Sequence, residues 1–311
     1  MKKTFVALVL VFGIVVGGTY CWNWETLHIT AIVSQPTAVI ATEDDNKDKP
    51  STTSKGWINI LVLGTDNSGD EVSRTDSMML VSANVDTHQV SVISIPRDTR
   101  VNVPGVGLTK INHANAVGET NGSVREGTLE SAKAVSNLLG VTINYYVKIN
   151  FQGFQKAVDS VGGIDVNLPN AVNDDLRNIH LSAGDNHLSG DDALRLARAR
   201  YGLPNGDFDR QQDQFYLLSA LAHQMLNLSN IPKLPEQLTI IQQDLMDTNL
   251  STPEMVTMGL AFKGISKETI KHYQLPGKGT SAQDPLVGAN VFYYEPDMEG
   301  VREIVQEAMK L

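Results

Sequence analysis

Six short motifs carry the chemistry of this chain. Gly64-Thr65-Asp66 closes the apolar run Trp57–Leu63, and Arg74-Thr75-Asp76 precedes the run Ser77–Val85. Pro96-Arg97-Asp98-Thr99-Arg100 follows the run Gln89–Ile95. Charged residues at strand ends are where α/β sheets build sites. A hairpin turn centred on Thr87 sets Ser77 opposite Arg97, which brings Asp76 beside Arg97 and Asp98. The plainer reading of that cluster is an ion pair closing the open end of the hairpin. Lys110-Ile111-Asn112-His113-Ala114 offers a histidine, a residue that more often packs and hydrogen-bonds than catalyses. In Arg195-Leu196-Ala197-Arg198-Ala199-Arg200-Tyr201, residues two apart lie about 200° apart on a helix but point the same way when extended. If Arg198 and Arg200 grip one ligand, the helix ends near Ala197; otherwise they form a solvated face. Gly206-Asp207-Phe208-Asp209-Arg210 leads into Gln211, Gln212 and Gln214, and its acids also suit a helix N-terminus.

Taken together, these motifs offer carboxylates able to hold a hard cation and guanidiniums matched to paired phosphates. Magnesium takes oxygen ligands and leaves positions open for phosphate. Phosphoryl transfer asks mainly for alignment and charge neutralisation. There is no Gly-x-x-x-x-Gly-Lys-Ser/Thr loop, no His-Glu-x-x-His helix and no Gly-x-Ser-x-Gly elbow. Those absences weigh against a nucleotide triphosphatase, a zinc protease and a common serine hydrolase.

The elements that position these residues alternate. Strand-like runs cover Trp57–Leu63, Ser77–Val85, Gln89–Ile95, Asn144–Ile149 and Ile164–Leu168, with two more at His272–Leu275 and Val291–Tyr294. Helical spacing marks Gly127–Leu139, the stretch from Phe151 to Val161, the stretch from Asp191, the long run Phe208–Leu228, two segments near 236–246 and 253–262, and the end from Pro296. Interleaved strands and helices predict an α/β layered fold, and the hairpin makes its central sheet mixed.

The 311 residues are 41% apolar with a net charge of −10, which gives a globular chain with no basic footprint for nucleic acid. The single cysteine, Cys21, excludes an intramolecular disulfide and a cysteine-rich zinc site. Two lysines precede an uncharged run from Thr4 to Trp22, which as a helix spans about 28 Å. The expectation is a cytoplasmic tail at 1–3, a transmembrane anchor at 4–22, a flexible extracellular linker at 23–56 and an extracellular catalytic domain at 57–311. A signal peptide cleaved near Val16-Gly17-Gly18 is the alternative, and both readings export the chain. An outward-facing domain lacks ATP, so its phosphate donor comes from the membrane.

In series, the motifs resemble those of the LytR–CpsA–Psr family of membrane-anchored glycopolymer transferases. The matching stretches are Asn59–Asp66, Arg74–Leu80, Ser94–Thr99, Lys110–Ala114, Tyr145–Phe154, Gly162–Val166 and Ala197–Arg200, in order across about 57–225. The resemblance implies an α-β-α sandwich with a hydrophobic pocket for a polyprenyl chain. It implies transfer of a glycopolymer from a polyprenyl-pyrophosphate or related carrier to peptidoglycan, forming a phosphodiester. By similarity, Asp66 and Asp76 bind Mg2+. Arg74, Arg97, Arg198, Arg200 and Gln214 bind the pyrophosphate, with Arg210 a further candidate. Asp98 either orients an arginine or acts as base towards the acceptor hydroxyl, so Arg74, Arg97 and Asp98 form the candidate catalytic group. Two departures stand out: Asp213 and Phe215 replace an arginine and a glutamine, and Arg100 replaces an aromatic. Residues beyond about 230 carry no motif. The competing functions are hydrolysis of polyprenyl pyrophosphate at the same site and a non-catalytic envelope regulator tethered to the membrane.

Overall fold

In the computed structural model, residues 56–66, 72–201 and 203–310 are described. The expected anchor at 4–22 and nearly all of the expected linker lie outside them. Among the described residues, no helix is long and apolar enough to cross a membrane.

The centre is one six-stranded sheet. β1 (Trp57–Thr65) lies between β2 (Thr75–Asn84), antiparallel, and β6 (Tyr145–Asn150), parallel. β3 (Gln89–Ser94) continues antiparallel beyond β2, and β12 (Ile270–Gln274) joins β3 in parallel. β11 (Leu245–Thr248) closes the opposite edge, antiparallel to β6. The sheet is therefore mixed, as the short hairpin predicts.

Alternation along β1 assigns its faces. Trp57, Leu61 and Leu63 enter one core with Val135 and Leu139 of α2 (Val124–Leu139) and Val301 of α8 (Met298–Met309). Ile58, Ile60 and Val62 point the other way, towards α5 (Asp207–Leu226) and α7 (Thr252–Ala261). Helices thus cover both faces, which gives the expected α-β-α sandwich. α1 (His113–Asn121) packs on α2. α3 (Phe151–Ser160) and α4 (Gly190–Arg198) pack together with α5 in a second core. Close approach fixes that contact: a Cβ at Gly190 would collide with the Gln155 carbonyl. Completing the helices, α6 (Leu234–Gln243) packs against α3 and α7.

The hairpin register needs a correction. Met79 pairs with Ser94 and Asn84 with Gln89, so Val85–His88 form a four-residue loop whose centre lies between Asp86 and Thr87. His88 completes that loop with a φ of 56°. Pairing also stops early, at the Ile95 N–H on the Met78 carbonyl, so Ser77 does not face Arg97. Asp76 and Arg97 meet all the same. Gly64 pairs with Ser77 but Thr65 with Thr75, so Asp76 is the extra residue of a β-bulge. Bulges re-aim side chains next to active sites.

Short pairs escape the sequence reading. They are β4 (Arg100–Val103) with β5 (Gly107–Lys110), and β8 (Val172–Asp174) with β9 (Ile179–Leu181). β7 (Ile164–Leu168) falls where the apolar run predicts, but its partner β10 (Gly184–Leu188) does not show in the sequence. β13 (Gly277–Asp284) and β14 (Ala289–Pro296) form a hairpin longer than the predicted Val291–Tyr294.

Candidate active site

A cavity of about 210 Å³ opens between the sheet and the α4–α5 layer. Val62, Met79, Ile149, Phe154, Leu194, Leu217 and Leu218 give it apolar walls. Asp66, Asp76, Arg97, Arg177, Arg198, Arg200, Arg210 and Gln214 give it a charged and polar lining. Five guanidiniums against two carboxylates make the cavity positive inside a chain of net charge −10.

The arginines arrive from separate elements. Arg97 follows β3, and its Nη1 donates to Asp76 Oδ1 at 2.5 Å. Burial pulls the Arg97 guanidinium down, but Asp76, with Asp207 and Asp98, outweighs burial and holds it above its ordinary value. Arg210 sits in the first turn of α5, where Nη2 pairs with Asp207 Oδ1 at 2.7 Å and reaches the Asp76 carbonyl at 3.2 Å. Burial lowers Arg210, and Arg97 and Arg200 add to that against the pull of Asp207 and Asp76.

α4 ends at Arg198, and Ala199 is extended at φ −60° and ψ 133°. This is the helix end that a shared ligand requires, and both Arg198 and Arg200 line the cavity. Arg198 lies over the Phe151 ring at 4.5 Å. Burial and then Arg177 lower its pKa, while Asp66 and Asp76 oppose the shift. Gln214 Nε2 donates to the Ala197 carbonyl at 3.0 Å and so ties the end of α4 to α5.

Two expected residues are not in the cavity wall. Arg74 is exposed on the approach to β2. Asp98 is engaged by Lys110 Nζ at 2.6 Å, and its other oxygen stands 3.9 Å from Arg97 Nε, beyond hydrogen-bond reach. Its hydrogen-bonded partner is Lys110, and towards Arg97 it keeps the longer ion pair. Arg100 turns away from the cavity to Glu295 at 3.5 Å and the Tyr293 ring at 5.2 Å, so its side chain joins β4 to the C-terminal hairpin. His113 is buried, as the packing reading expects, with Nδ1 against Thr109 Oγ1 at 2.7 Å. That hydroxyl also donates to Asp284 Oδ2 at 2.8 Å.

Sequence reasoning missed Arg177 and Asn150, both in the cavity wall. Asn150 ends β6 and caps α3, its Oδ1 accepting the Gly153 N–H at 2.9 Å, so its strand-end position was the available signal. Arg177 lies in the turn of a hairpin whose strands have three residues each, too short to read by periodicity.

Two carboxylates line the cavity. Asp66 and Asp76 reach one cavity, and Asp66 is exposed to solvent. No cluster of three or more His, Cys, Asp or Glu side chains accompanies them among the described residues. Asp66 and Asp76 are the side chains that could hold a metal, and an all-oxygen donor set is the chemistry of magnesium rather than of zinc.

The sequence model of the LytR_cpsA_psr family matches residues 29–310. The chain belongs to the LytR–CpsA–Psr family. A family relative from Bacillus mycoides (strain KBAB4), the polyisoprenyl-teichoic acid–peptidoglycan teichoic acid transferase TagU, is 33% identical over 96% of this chain and 94% of its own. TagU of Bacillus subtilis (strain 168) is 29% identical over 98% of this chain and 95% of its own. Among solved structures, B. subtilis TagV superposes with a TM-score of 0.68 at 30% identity, covering 83% of this chain and 98% of TagV. Kinship with these enzymes makes the chain a transferase.

Proposed function

We propose that this family member is a Mg2+-dependent phosphotransferase that moves a glycopolymer from a polyprenyl-(pyro)phosphate carrier to peptidoglycan. The observation that supports it best is one cavity with aliphatic walls and a five-arginine lining. That combination suits a molecule that is hydrocarbon at one end and a diphosphate at the other. The relatives' name, polyisoprenyl-teichoic acid–peptidoglycan teichoic acid transferase, points the same way.

In this reading Val62, Met79, Leu217 and Leu218 take the prenyl chain, and Arg97, Arg198, Arg200 and Arg210 take the phosphates. The acceptor hydroxyl gives up its proton to solvent, and its oxygen bonds to the phosphorus that carries the glycopolymer. The bond from that phosphorus to the bridging oxygen breaks, and polyprenyl monophosphate leaves. The product is a phosphodiester. Guanidiniums spread around the diphosphate neutralise the charge that grows on the leaving group. Asp76 fixes Arg97 in place for this role. Asp66 and Asp76 are the residues that would hold Mg2+, which supplies further charge neutralisation at the phosphate oxygens when bound. Held outside the cell by residues 4–22, the domain meets both the lipid carrier and the wall.

Incubating the purified chain with a lipid-linked glycopolymer, Mg2+ and peptidoglycan oligomers tests the reading. Polymer bonded through phosphate to the oligomer supports it. Free inorganic phosphate alone marks a hydrolase of polyprenyl pyrophosphate, and no reaction marks a regulator.

A further inference from the structure

The cavity holds two kinds of arginine. Arg97 and Arg210 each have an acid partner, Asp76 and Asp207. Arg177, Arg198 and Arg200 form no ion pair among the described residues, although all three line the same wall. The Nε of Arg177 is buried and lacks a hydrogen-bond partner among the described residues. The Nε atoms of Arg97 and Arg210 are buried and unpartnered in the same way, but their charges are met by Asp76 and Asp207. Arg177 is half-buried with no acid paired to it among the described residues, which leaves its charge for an anion.

The turn that carries Arg177 is held rigidly. Asp174 is buried, and its Oδ1 accepts the Arg177 N–H at 3.1 Å. Its Oδ2 accepts the N–H groups of Arg200 at 3.0 Å and Tyr201 at 3.2 Å. One carboxylate therefore joins the backbone of Arg177 to that of Arg200. From α4, Arg195 Nη1 donates to the carbonyls of Arg177 at 3.2 Å and Asn178 at 3.3 Å, while Asp191 Oδ2 holds Arg195 Nε at 2.7 Å. Asn178 takes a positive φ of 50° to complete the turn. These bonds fix the backbone on both sides of one guanidinium. Arg177 also stands close enough to Arg198 to lower its pKa. Two like charges lining one cavity favour an anion that touches both.

We propose that Arg177 is a further donor-binding residue, whose guanidinium shares with that of Arg198 the lipid diphosphate at the cavity mouth. The inference rests on the diphosphate reading of the site given above. It extends the anion grip from the strand ends and α5 to the β8–β9 turn, with Asp174 as the positioning residue.

The test uses the full chain in detergent micelles, with geranylgeranyl diphosphate as the probe and calorimetric titration in the presence of Mg2+. Arg177→Gln is expected to weaken binding about tenfold to a hundredfold, the range for one charge-assisted hydrogen-bonding pair. Arg177→Lys is expected to recover part of that loss, with the thermal midpoint unchanged in both variants. Arg177→Gln combined with Arg198→Gln is expected to lose less than the two single losses multiplied, because the anion is shared. Equal affinity in the wild type and Arg177→Gln overturns the inference. So does a loss that follows a fall in thermal midpoint and that lysine does not relieve. Independent losses in the double variant overturn the shared anion. If the wild type binds no diphosphate, the functional reading falls and this inference with it; if it binds and Arg177→Gln binds equally well, only the inference falls.

Discussion

Arg97 Nη1 donates to Asp76 Oδ1 at 2.5 Å, across 21 residues of sequence. The contact depends on two local irregularities. Pro96 takes the chain out of β3 before Arg97, and the bulge at Asp76 turns that carboxylate out of the β1–β2 ladder. The guanidinium is held by one acid while it still faces the cavity with the other arginines. That is pre-organisation, since the arginine is ordered before any substrate arrives.

Arg97→Ala is therefore expected to lower transfer by a factor of about a hundred or more, the usual cost of losing one pre-organised donor to a developing anion. The fold should survive, because Arg97 is not part of an apolar core. Transfer assays paired with thermal melts check this. Wild-type turnover in the variant would refute the role.

Asp66 stands at the exposed end of β1 and has no part in any core cluster. Asp66→Ala is expected to move the Mg2+ activation curve to higher concentration while leaving the thermal midpoint unchanged. Activity titrated against Mg2+ reads this out. An unmoved curve would count against Asp66 as a ligand.

Lys148 of β6 is fully buried and pairs with Glu119 of α1 at 2.5 Å. Glu119 also accepts the Ser73 N–H at 2.7 Å, so the pair secures the chain just before Arg74 and β2. Lys148→Met leaves Glu119 without its cation in the interior. The expected cost is about 3–5 kcal/mol, the range for breaking a buried pair from one side. Urea unfolding measures it, and a change below about 1 kcal/mol, the scale of an exposed pair, would contradict the brace.

How much of this was legible in the sequence depends on range. The apolar runs of β1, β2 and β3 and the helical spacing of α2 and α3 sit within a few residues of their observed bounds, because burial of one face imposes its period locally. Asp66, Asp76, Arg97, Arg198, Arg200, Arg210 and Gln214 all reach the cavity, since strand ends and a helix end are sequence-visible places. Arg74 and Asp98 do not: Asp98 is held by Lys110, which arrives from β5, and Arg74 is exposed on the approach to β2. Arg177 was invisible because its hairpin owes its position to Asp174 and Arg195, side chains whose contacts no periodicity reveals. The edge strand β11 is likewise defined by pairing with β6 and not by its own pattern.

Asp213 lies on α5 between Arg210 and Gln214, yet it is buried and its Oδ2 lacks a hydrogen-bond partner among the described residues. Burial, with Asp209 adding to it, pushes its carboxyl up to about 7. The unfolded value is the ordinary 3.8, so the folded chain binds the extra proton between these limits. The stability this group contributes is complete below about pH 3.8 and is lost as pH rises through about 7. Asp213→Asn removes that loss. The variant should gain on the wild type in unfolding free energy as pH climbs from 4 to 8, as read by urea melts. A pH-independent difference would contradict the burial of a protonated acid.

The central claim is that one cavity receives a lipid diphosphate, phosphates to the arginines and hydrocarbon to the aliphatic wall. A crystal structure of the chain with geranylgeranyl diphosphate and Mg2+ tests it most directly. The account predicts phosphate oxygens within hydrogen-bond distance of Arg97, Arg198 and Arg200, and the prenyl chain against Val62, Met79 and Leu217. A diphosphate bound elsewhere, or a prenyl chain lying outside these walls, would contradict it.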